Sequence, residues 1–313
     1  MTALASRTPT SPRPAPAAPS RGAGHVLLPL AVALAAAAGV VATYVIFIRT
    51  SLGQLVDTAA MRGGDVHHPR VVEILSRTLN GTTLVSVVLV CLVAATIGVL
   101  RKRIDLAIGA TVLVLGANAS CQLLKMRLDR PDLDDFPAPN SFPSGHTAAA
   151  ASVAFALILV LPSAVRGMVA LIGAGYVAII AIATVWAEWH RPSDTIAGVL
   201  LVLAWAALAA FGVRLWRLRA TGAAEHVSRI SVLLLLAVTV VTGAAALLGL
   251  ISAAMSERVT PDLVSGRFVF LTGSAGCAAV VAAAFLIWVR LAAGDRASLD
   301  APAARPLKRG KKK

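Results

Sequence analysis

The chain has 313 residues, of which 58% are hydrophobic and only 14% are charged. Soluble domains carry about a quarter charged residues, so this composition excludes an ordinary soluble protein and indicates an integral membrane protein. The formal net charge is +14, a value that raises the question of nucleic acid binding. The basic residues stand at the ends of apolar segments and in the C-terminal tail, where they orient membrane proteins. We therefore expect no nucleic acid partner.

Apolar segments follow one another along most of the chain. Residues 1–24 are rich in Pro, Ala, Ser, Thr and Arg, which predicts a disordered cytoplasmic tail. About 20 apolar residues cross a bilayer core. That length predicts eight transmembrane helices, with a break near residues 162–167, at about residues 26–48, 80–100, 104–124, 147–165, 168–189, 195–213, 230–252 and 268–290. The predicted fold is an all-α, polytopic membrane bundle.

The domain organisation predicted from these segments has four parts. Residues 1–24 form the first tail, and residues 26–213 form a six-span core. Residues 214–290 contain a cytoplasmic connection and two additional spans, and residues 291–313 form a basic cytoplasmic tail. The oligomeric state and the purpose of the last two spans are left open by the sequence.

Residues 49–79 form a polar connection between the first two spans. Apolar residues recur there at helical spacing and predict a short helix lying along the membrane surface: Leu52, Leu55, Val56, Ala59 and Ala60. The pair His67-His68 follows. Adjacent side chains diverge on a helix or a strand, so we interpret this pair as part of a solvated loop, not as a metal site.

The sequence gives no pattern that is typical of a metal site or a disulfide framework, and no cofactor is expected. Cys91, Cys121 and Cys277 lie within apolar segments without paired spacing, which predicts buried thiols. Three acids, Asp132, Asp134 and Asp135, share one loop and are interpreted as solvated.

The placement of Lys and Arg predicts the orientation of the chain in the membrane. Most of these residues fall on the side that holds both termini, so both termini are expected in the cytoplasm, as in a bacterial-type plasma membrane. The third and fifth spans then end, and the fourth and sixth begin, at the extracytoplasmic face. The chain's unusual polar residues all lie at these four span ends: Lys125, Arg130, Ser144, Gly145, His146, His190, Arg191 and Asp194.

These residue types suit the binding of a phosphate. Lys125 and Arg130 are cations at the mouth of the bundle, and a guanidinium with an ammonium provides bidentate and point contacts to an oxyanion. Ser144 is a natural N-cap, and Gly145 lets backbone approach a ligand closely. The free N–H groups of a helix start favour anions. His146 would stand beside the bound group.

The third piece supplies a candidate nucleophile. His190 is expected to end a helix, Pro192 to break it, and Ser193 or Asp194 to begin the next one. Such a turn can bring the Asp194 carboxylate to the imidazole of His190, where it would fix the tautomer and support positive charge. Two histidines, a carboxylate and an oxyanion site make phosphoryl transfer through a phosphohistidine a coherent reaction.

These motifs resemble those of a known family. Lys125…Arg130-Pro131, Pro143-Ser144-Gly145-His146 and His190-x-x-x-Asp194 are similar to the three signature motifs of the type 2 phosphatidic acid phosphatase superfamily. The resemblance covers about residues 26–213. It implies a six-span core and a metal-independent phosphatase.

The resemblance also implies a role for each residue. His190 would be the nucleophile and Asp194 its support, while His146 would protonate the leaving group. The groups that would hold the phosphate oxygens are Lys125, Arg130, Ser144 and Gly145.

Two departures from the family pattern affect the phosphate ligands. Four residues separate Lys125 from Arg130-Pro131, where the family usually has six, which moves the lysine by about one helical turn. The third motif usually begins with Ser-Arg, but Ala183 and Thr184 stand there. Arg191 is a hypothetical substitute for the missing arginine.

The sequence thus predicts an integral membrane phosphatase for a lipid phosphate or a polyprenyl diphosphate, with its site at the extracytoplasmic face. Two alternatives remain. One is a lipid phosphotransferase, which shares every residue named above. The other is a catalytically impaired protein that binds or transports lipid phosphates; Thr184 supports the impaired form, and the charges at span ends disfavour transport.

Overall fold

The structure is a computed structural model and describes residues 23–64, 73, 84–134, 136, 139–216, 228–259 and 265–292. Its elements in these residues are nine helices: α1 (Ala23–Thr43, continued by a π-helical turn, Tyr44–Ile48), α2 (Ser51–Arg62), α3 (Leu84–Leu100), α4 (Ile104–Arg127), α5 (Gly145–Val160), α6 (Ser163–Trp186), α7 (Pro192–Trp216), α8 (Arg229–Val259) and α9 (Gly266–Ala292). The predicted all-α polytopic bundle is confirmed. The two tails, apart from a few helical residues at their inner ends, and the His67-His68 pair lie outside the described residues.

A helix corresponds to each of the eight predicted spans. Six helices in the described part of the chain are long and apolar enough to cross a membrane: α1 with its π-helical turn, α4, α6, α7, α8 and α9. The other two, α3 and α5, have 17 and 16 residues. A helix of 16 residues is about 24 Å long, which is less than the hydrocarbon thickness of about 30 Å.

The predicted break between the fourth and fifth spans is misplaced. Residues 163–167, which were expected in the break, form the first turns of α6 instead. The chain leaves α5 at Leu161 in an extended conformation, and Pro162 directly precedes α6. Proline disfavours helix in the residue before it, so the break falls at Leu161 and Pro162 and shortens α5. The fifth predicted span also ends earlier, at Trp186, and the sixth begins earlier, at Pro192.

The core of the bundle is built around α7. This helix packs against α1, α4, α5 and α9, and many of its buried residues are Ala, Val or Leu. Small side chains let helix backbones approach closely in a membrane, where packing replaces the hydrophobic effect as the driving force. The same core extends into α9 through the stacked rings of Phe155 and Trp288 and the edge contact of Phe155 with Phe285.

The short helix α2 exists as predicted, but it does not simply lie on the membrane surface. Val56 and Ala60 are buried against Ala253 of α8 and Val269 of α9. Its opposite, polar side is also buried, as described below. Both faces of this amphipathic helix therefore contact protein: α8 and α9 cover its apolar face, and the polar face is buried as well. The last two long helices therefore form a support for α2.

Two buried arginines hold the C-terminal end of α9. Arg166 donates from Nη1 to the carbonyl of Ala292 at 3.3 Å, and Arg214 donates from Nη2 to the carbonyl of Leu291 at 2.8 Å. The last carbonyl groups of a helix have no partner within it, and cations there are favourable. This anchoring fixes α9 relative to α6 and α7.

One end of the bundle has unusually close backbone contacts. We call it the junction end; α4 and α6 end there, and α5 and α7 begin. A Cβ atom at Gly198 of α7 would lie 2.8 Å from the carbonyl oxygen of Ser144. Atoms at that distance would overlap, so glycine is required for α7 to approach the start of α5.

We expect Gly198→Ala to lower the stability of the purified protein by about 1–3 kcal/mol, the usual cost of forcing extra atoms into a packed core. Gly212→Ala is the matched control, because a Cβ at that position of the same helix meets no atom within 4 Å. The melting temperature in detergent should fall only for the first variant. An equal response of both variants would contradict the close approach.

Candidate active site

The carboxylate of Asp194 is the centre of the junction end. It is fully buried and accepts hydrogen bonds from Arg130 Nη2 at 3.0 Å, Ser141 Oγ at 2.5 Å and the backbone N–H of Arg191 at 3.0 Å. His190 Nδ1 lies 3.6 Å from its Oδ2 atom. The loop after α4, the turn after α6 and the first turn of α7 therefore meet at one side chain.

The first turn of α7 explains how Asp194 reaches this place. Pro192 begins the helix, a position at which its missing N–H and fixed φ are favourable. Asp194 is the third residue of the helix, and its carboxylate turns back to the N–H of Arg191, as in one half of a capping box. The prediction that Pro192 breaks a helix is therefore wrong, because the proline starts one.

The turn before α7 places His190. The backbone N–H groups of Trp189 and His190 both donate to the carbonyl of Thr184, at 3.0 and 3.2 Å. These bonds close the end of α6 after Trp186 and fold the chain back. His190 thus lies in a turn. The prediction that it ends a helix is wrong, because α6 ends at Trp186. Its side chain is 6% exposed and faces Asp194 four residues later.

The second histidine approaches the first from the start of α5. The rings of His146 and His190 have centroids 5.9 Å apart and meet edge to face. The ring of Trp189 lies 5.5 Å from that of His146. Lys125 lies in the last turn of α4, at the junction end, and its carbonyl accepts a hydrogen bond from Asn140 Nδ2 at 3.3 Å.

Ser144 and Gly145 form the start of α5. Ser144 is the N-cap, and its Oγ atom accepts the N–H of Thr147 at 3.4 Å; this cap was expected. The N–H of Ser144 donates to the carbonyl of Asp194 at 2.8 Å, which joins α5 to α7. A Cβ at Gly145 would meet only Gln122 Nε2, at 3.6 Å. The glycine therefore leaves the helix start open.

Several buried nitrogen atoms of the site have no hydrogen-bond partner among the described residues. They are Nε and Nη1 of Arg130, Nη2 of Arg191 and Nδ1 of His190. Buried donors without partners are rare in proteins. Two guanidinium groups with free donors beside an open helix start fit a ligand with several anionic oxygens.

The contribution of α2 to this site was not predicted from the sequence. Asp57 accepts the backbone N–H of Ser193 at 3.0 Å and also the Ser193 hydroxyl, so it caps α7 from another helix. Gln54 holds the loop after α4 by donating to the Pro131 carbonyl at 2.6 Å and accepting the Leu133 N–H at 3.2 Å. The available signal was a polar stripe on α2, at spacing that repeats on one helix face.

The interpretation of the three loop acids as solvated is wrong for Asp134. Its carboxylate accepts hydrogen bonds from the Thr58 hydroxyl and from the N–H of Phe136. Asp132 is exposed, and Asp135 lies outside the described residues. Within the described ranges, no group of three His, Cys, Asp or Glu residues is arranged to hold a metal ion. All three cysteines are free; Cys121 and Cys277 are buried, and Cys91 is half-buried.

A comparison with protein families gives one match. Residues 81–220 match the family model described as the PAP2 superfamily. This segment, which we call the PAP2 segment, is similar to the members of that superfamily. The resemblance inferred from the three motifs is confirmed, although the matched segment is shorter than the predicted core of residues 26–213.

The PAP2 segment covers α3 to α7, whereas α1, α2, α8 and α9 lie outside it. Members of the superfamily are phosphatases, so the match supports a phosphoester hydrolase in general terms. Comparisons with curated proteins and with solved structures found no match.

Asp57 provides a test of how α2 is attached. Burial, and next the negative charge of Asp194, raise the pKa of Asp57 to about 7 from its usual 3.8. The folded protein then binds this proton more tightly than the unfolded chain between about pH 4 and pH 7. Stability should therefore fall as the pH rises through that window, by up to about 1.4 kcal/mol per pH unit.

Asp57→Asn should remove this pH dependence, because the amide can still accept the Ser193 N–H but carries no ionisable proton. Melting temperatures in detergent between pH 5 and pH 8 measure the effect. Asp132→Asn is the control at the same end of the bundle and should keep the wild-type dependence. The assignment fails if the Asp57→Asn and wild-type proteins show the same slope.

Proposed function

We propose that this protein is an integral membrane phosphatase that hydrolyses a lipid phosphate or diphosphate through a phosphohistidine intermediate. The observation that carries the proposal is the His190–Asp194 pair, with His146 facing the same imidazole and with buried guanidinium nitrogens of Arg130 and Arg191 nearby. A nucleophile backed by a carboxylate, an acid and a cation site together suit phosphoryl transfer.

The first step forms a bond between His190 and the phosphorus atom. Because Nδ1 faces Asp194, the attacking atom is Nε2. The bond from phosphorus to the leaving oxygen breaks, and His146 gives a proton to that oxygen. Asp194 supports the positive charge that develops on the imidazole, as the carboxylate does in a catalytic triad.

The second step returns the enzyme to its starting state. A water molecule attacks the phosphorus atom of the phosphohistidine, and His146 takes a proton from that water. The N–P bond breaks, and inorganic phosphate leaves. Through both steps the negative oxygens are held by Arg130, Arg191 and Lys125, together with the free N–H groups at the start of α5, including that of Gly145.

The place of the site in the bundle favours a lipid substrate. The junction end lies where apolar helices end, so a phosphate head group can enter while its hydrocarbon chain stays in the bilayer. From the distribution of Lys and Arg we infer that this end is extracytoplasmic and that both termini are cytoplasmic. Residues 26–213 would then form the catalytic core.

Phosphate release from a panel of lipid phosphates tests the proposal. The panel contains phosphatidic acid, phosphatidylglycerol phosphate and a polyprenyl diphosphate. Wild-type protein should release phosphate from at least one of them in EDTA. His190→Ala should be slower by a factor of at least about 1,000, because removal of a covalent nucleophile leaves only the rest of the site.

Ser252→Ala is the control for this experiment, because Ser252 is exposed on α8 and bonds only within its own helix. Equal rates for wild type and His190→Ala would contradict the phosphohistidine mechanism. Activity that EDTA abolishes would contradict its independence of metal ions.

The role of His146 as the acid gives a separate prediction. His146→Gln should slow hydrolysis of an alkyl phosphate by about 100- to 10,000-fold, the usual contribution of general acid catalysis. An aryl phosphate with an acidic phenol needs no proton on its leaving group, so its first step should be affected much less. A burst of phenol would report that step. An equal loss in the rate of the first step for both substrates would mean that His146 does not protonate the leaving group.

A further inference from the structure

The position at which the family motif has an arginine contains no cation in this chain. Thr184 stands there; it is fully buried, and its hydroxyl donates to the carbonyl of Ala181 at 2.9 Å. Its own carbonyl serves the turn that carries His190. Thr184 therefore has a structural task and cannot bind a phosphate as an arginine would.

Arg191 lies in the site instead, and a residue of α2 holds it. Arg191 Nε donates to Thr58 Oγ1 at 2.8 Å, and the Thr58 hydroxyl donates in turn to the Asp134 carboxylate. The guanidinium carbon also lies 5.9 Å from the centre of the Phe136 ring. One hydroxyl thus accepts from the cation and donates to the anion, which fixes its own orientation.

This arrangement leaves one nitrogen of the guanidinium available to a ligand. Arg191 is 2% exposed, and its Nη2 atom has no hydrogen-bond partner in the described part of the chain. A guanidinium is planar, so a bond at Nε sets the directions of both Nη groups. Thr58 therefore determines where Nη2 points.

We infer that Thr58 is a positioning residue that orients Arg191 toward the phosphate, in place of the arginine missing at Thr184. The inference rests on the proposed function and adds a part to it. Thr58 lies outside the PAP2 segment of residues 81–220. The residue that would position Arg191 therefore belongs to α2, a helix that the family model does not cover. Thr58 does not touch the substrate, and it acts through Arg191.

Packing alone is the simpler reading of Thr58, since it is 7% exposed. Valine has nearly the same shape as threonine but lacks the hydroxyl, so Thr58→Val removes both hydrogen bonds and keeps the volume. Thr58→Ser keeps the hydroxyl and removes one methyl group. A packing role makes serine the more harmful change, whereas a positioning role makes valine the more harmful one.

A double-mutant cycle with Arg191→Ala provides the test. We expect Thr58→Val to lower kcat/KM about tenfold or more, the loss that follows when a charged hydrogen-bond donor loses its acceptor. Thr58→Ser should stay within about threefold of wild type. In the Arg191→Ala background, Thr58→Val should cost less than about twofold, because the group through which it acts is gone.

Binding of inorganic phosphate to the purified protein, measured by calorimetry, gives a second readout that needs no turnover. Thr58→Val should weaken it about tenfold in the wild-type background and leave it nearly unchanged in Arg191→Ala. Thr43→Val is the matched control. Thr43 is 8% exposed and donates only within α1, to the Gly39 carbonyl at 2.8 Å, so both readouts should match wild type.

The outcomes separate the inference from the proposed function. A full tenfold loss from Thr58→Val in the Arg191→Ala background would overturn the inference, as would wild-type behaviour of Thr58→Val or a wild-type protein that binds no phosphate. Wild-type protein that binds phosphate but shows no His190-dependent hydrolysis would overturn the proposed function. The phosphate-binding cycle would then decide the role of Thr58 by itself.

Discussion

The burial of the Asp194 carboxylate is the constraint on which the junction end depends. A charged group without solvent is costly unless every side is compensated by hydrogen bonds and an opposite charge. The compensation comes from the Arg130 guanidinium, the Ser141 hydroxyl and the backbone N–H of Arg191. The loop after α4 and the turn after α6 must therefore converge on α7. The same requirement holds His190 within reach of the carboxylate.

A second carboxylate at the same helix start has a different environment. Asp57 binds the N–H and the hydroxyl of Ser193, which are neutral donors, whereas Asp194 has a guanidinium at 3.0 Å. Two acids at one helix start would repel each other if both were charged. Burial, and next the negative charge of Asp194, raise the pKa of Asp57 to about 7, so Asp57 is neutral below that pH, whereas Asp194 is paired with Arg130. One acid thus supplies the charge, and the other attaches α2.

The sequence predicted the bundle and the meeting of the three motifs because both follow from local patterns. Apolar run length places the spans, and the number of spans between two motifs decides whether they share an end. The break after α5 was misplaced because the apolar composition continues through Leu161. The roles of Asp57, Thr58 and Asp134 were not predictable, since the hydrogen bonds that connect α2 to the site join residues at least 76 positions apart. An amphipathic helix shows which stripe is polar, but not which protein surface covers it.

The environment of Arg191 gives a physical reason for the contact of α2 with the site. A cation just before the first turn of a helix opposes the helix dipole, whose positive end lies there. The carboxylates of Asp194 and Asp134 offset this charge, and Asp57 adds to them only above about pH 7, where it is ionised. Asp57 is part of α2, and Asp134 is bound to α2 through Thr58. An arginine on α6 would not meet that dipole and would need no such partners. A cation in the turn after His190 is therefore favoured by acidic and hydroxyl-bearing neighbours, and Thr58 of α2 provides the hydroxyl.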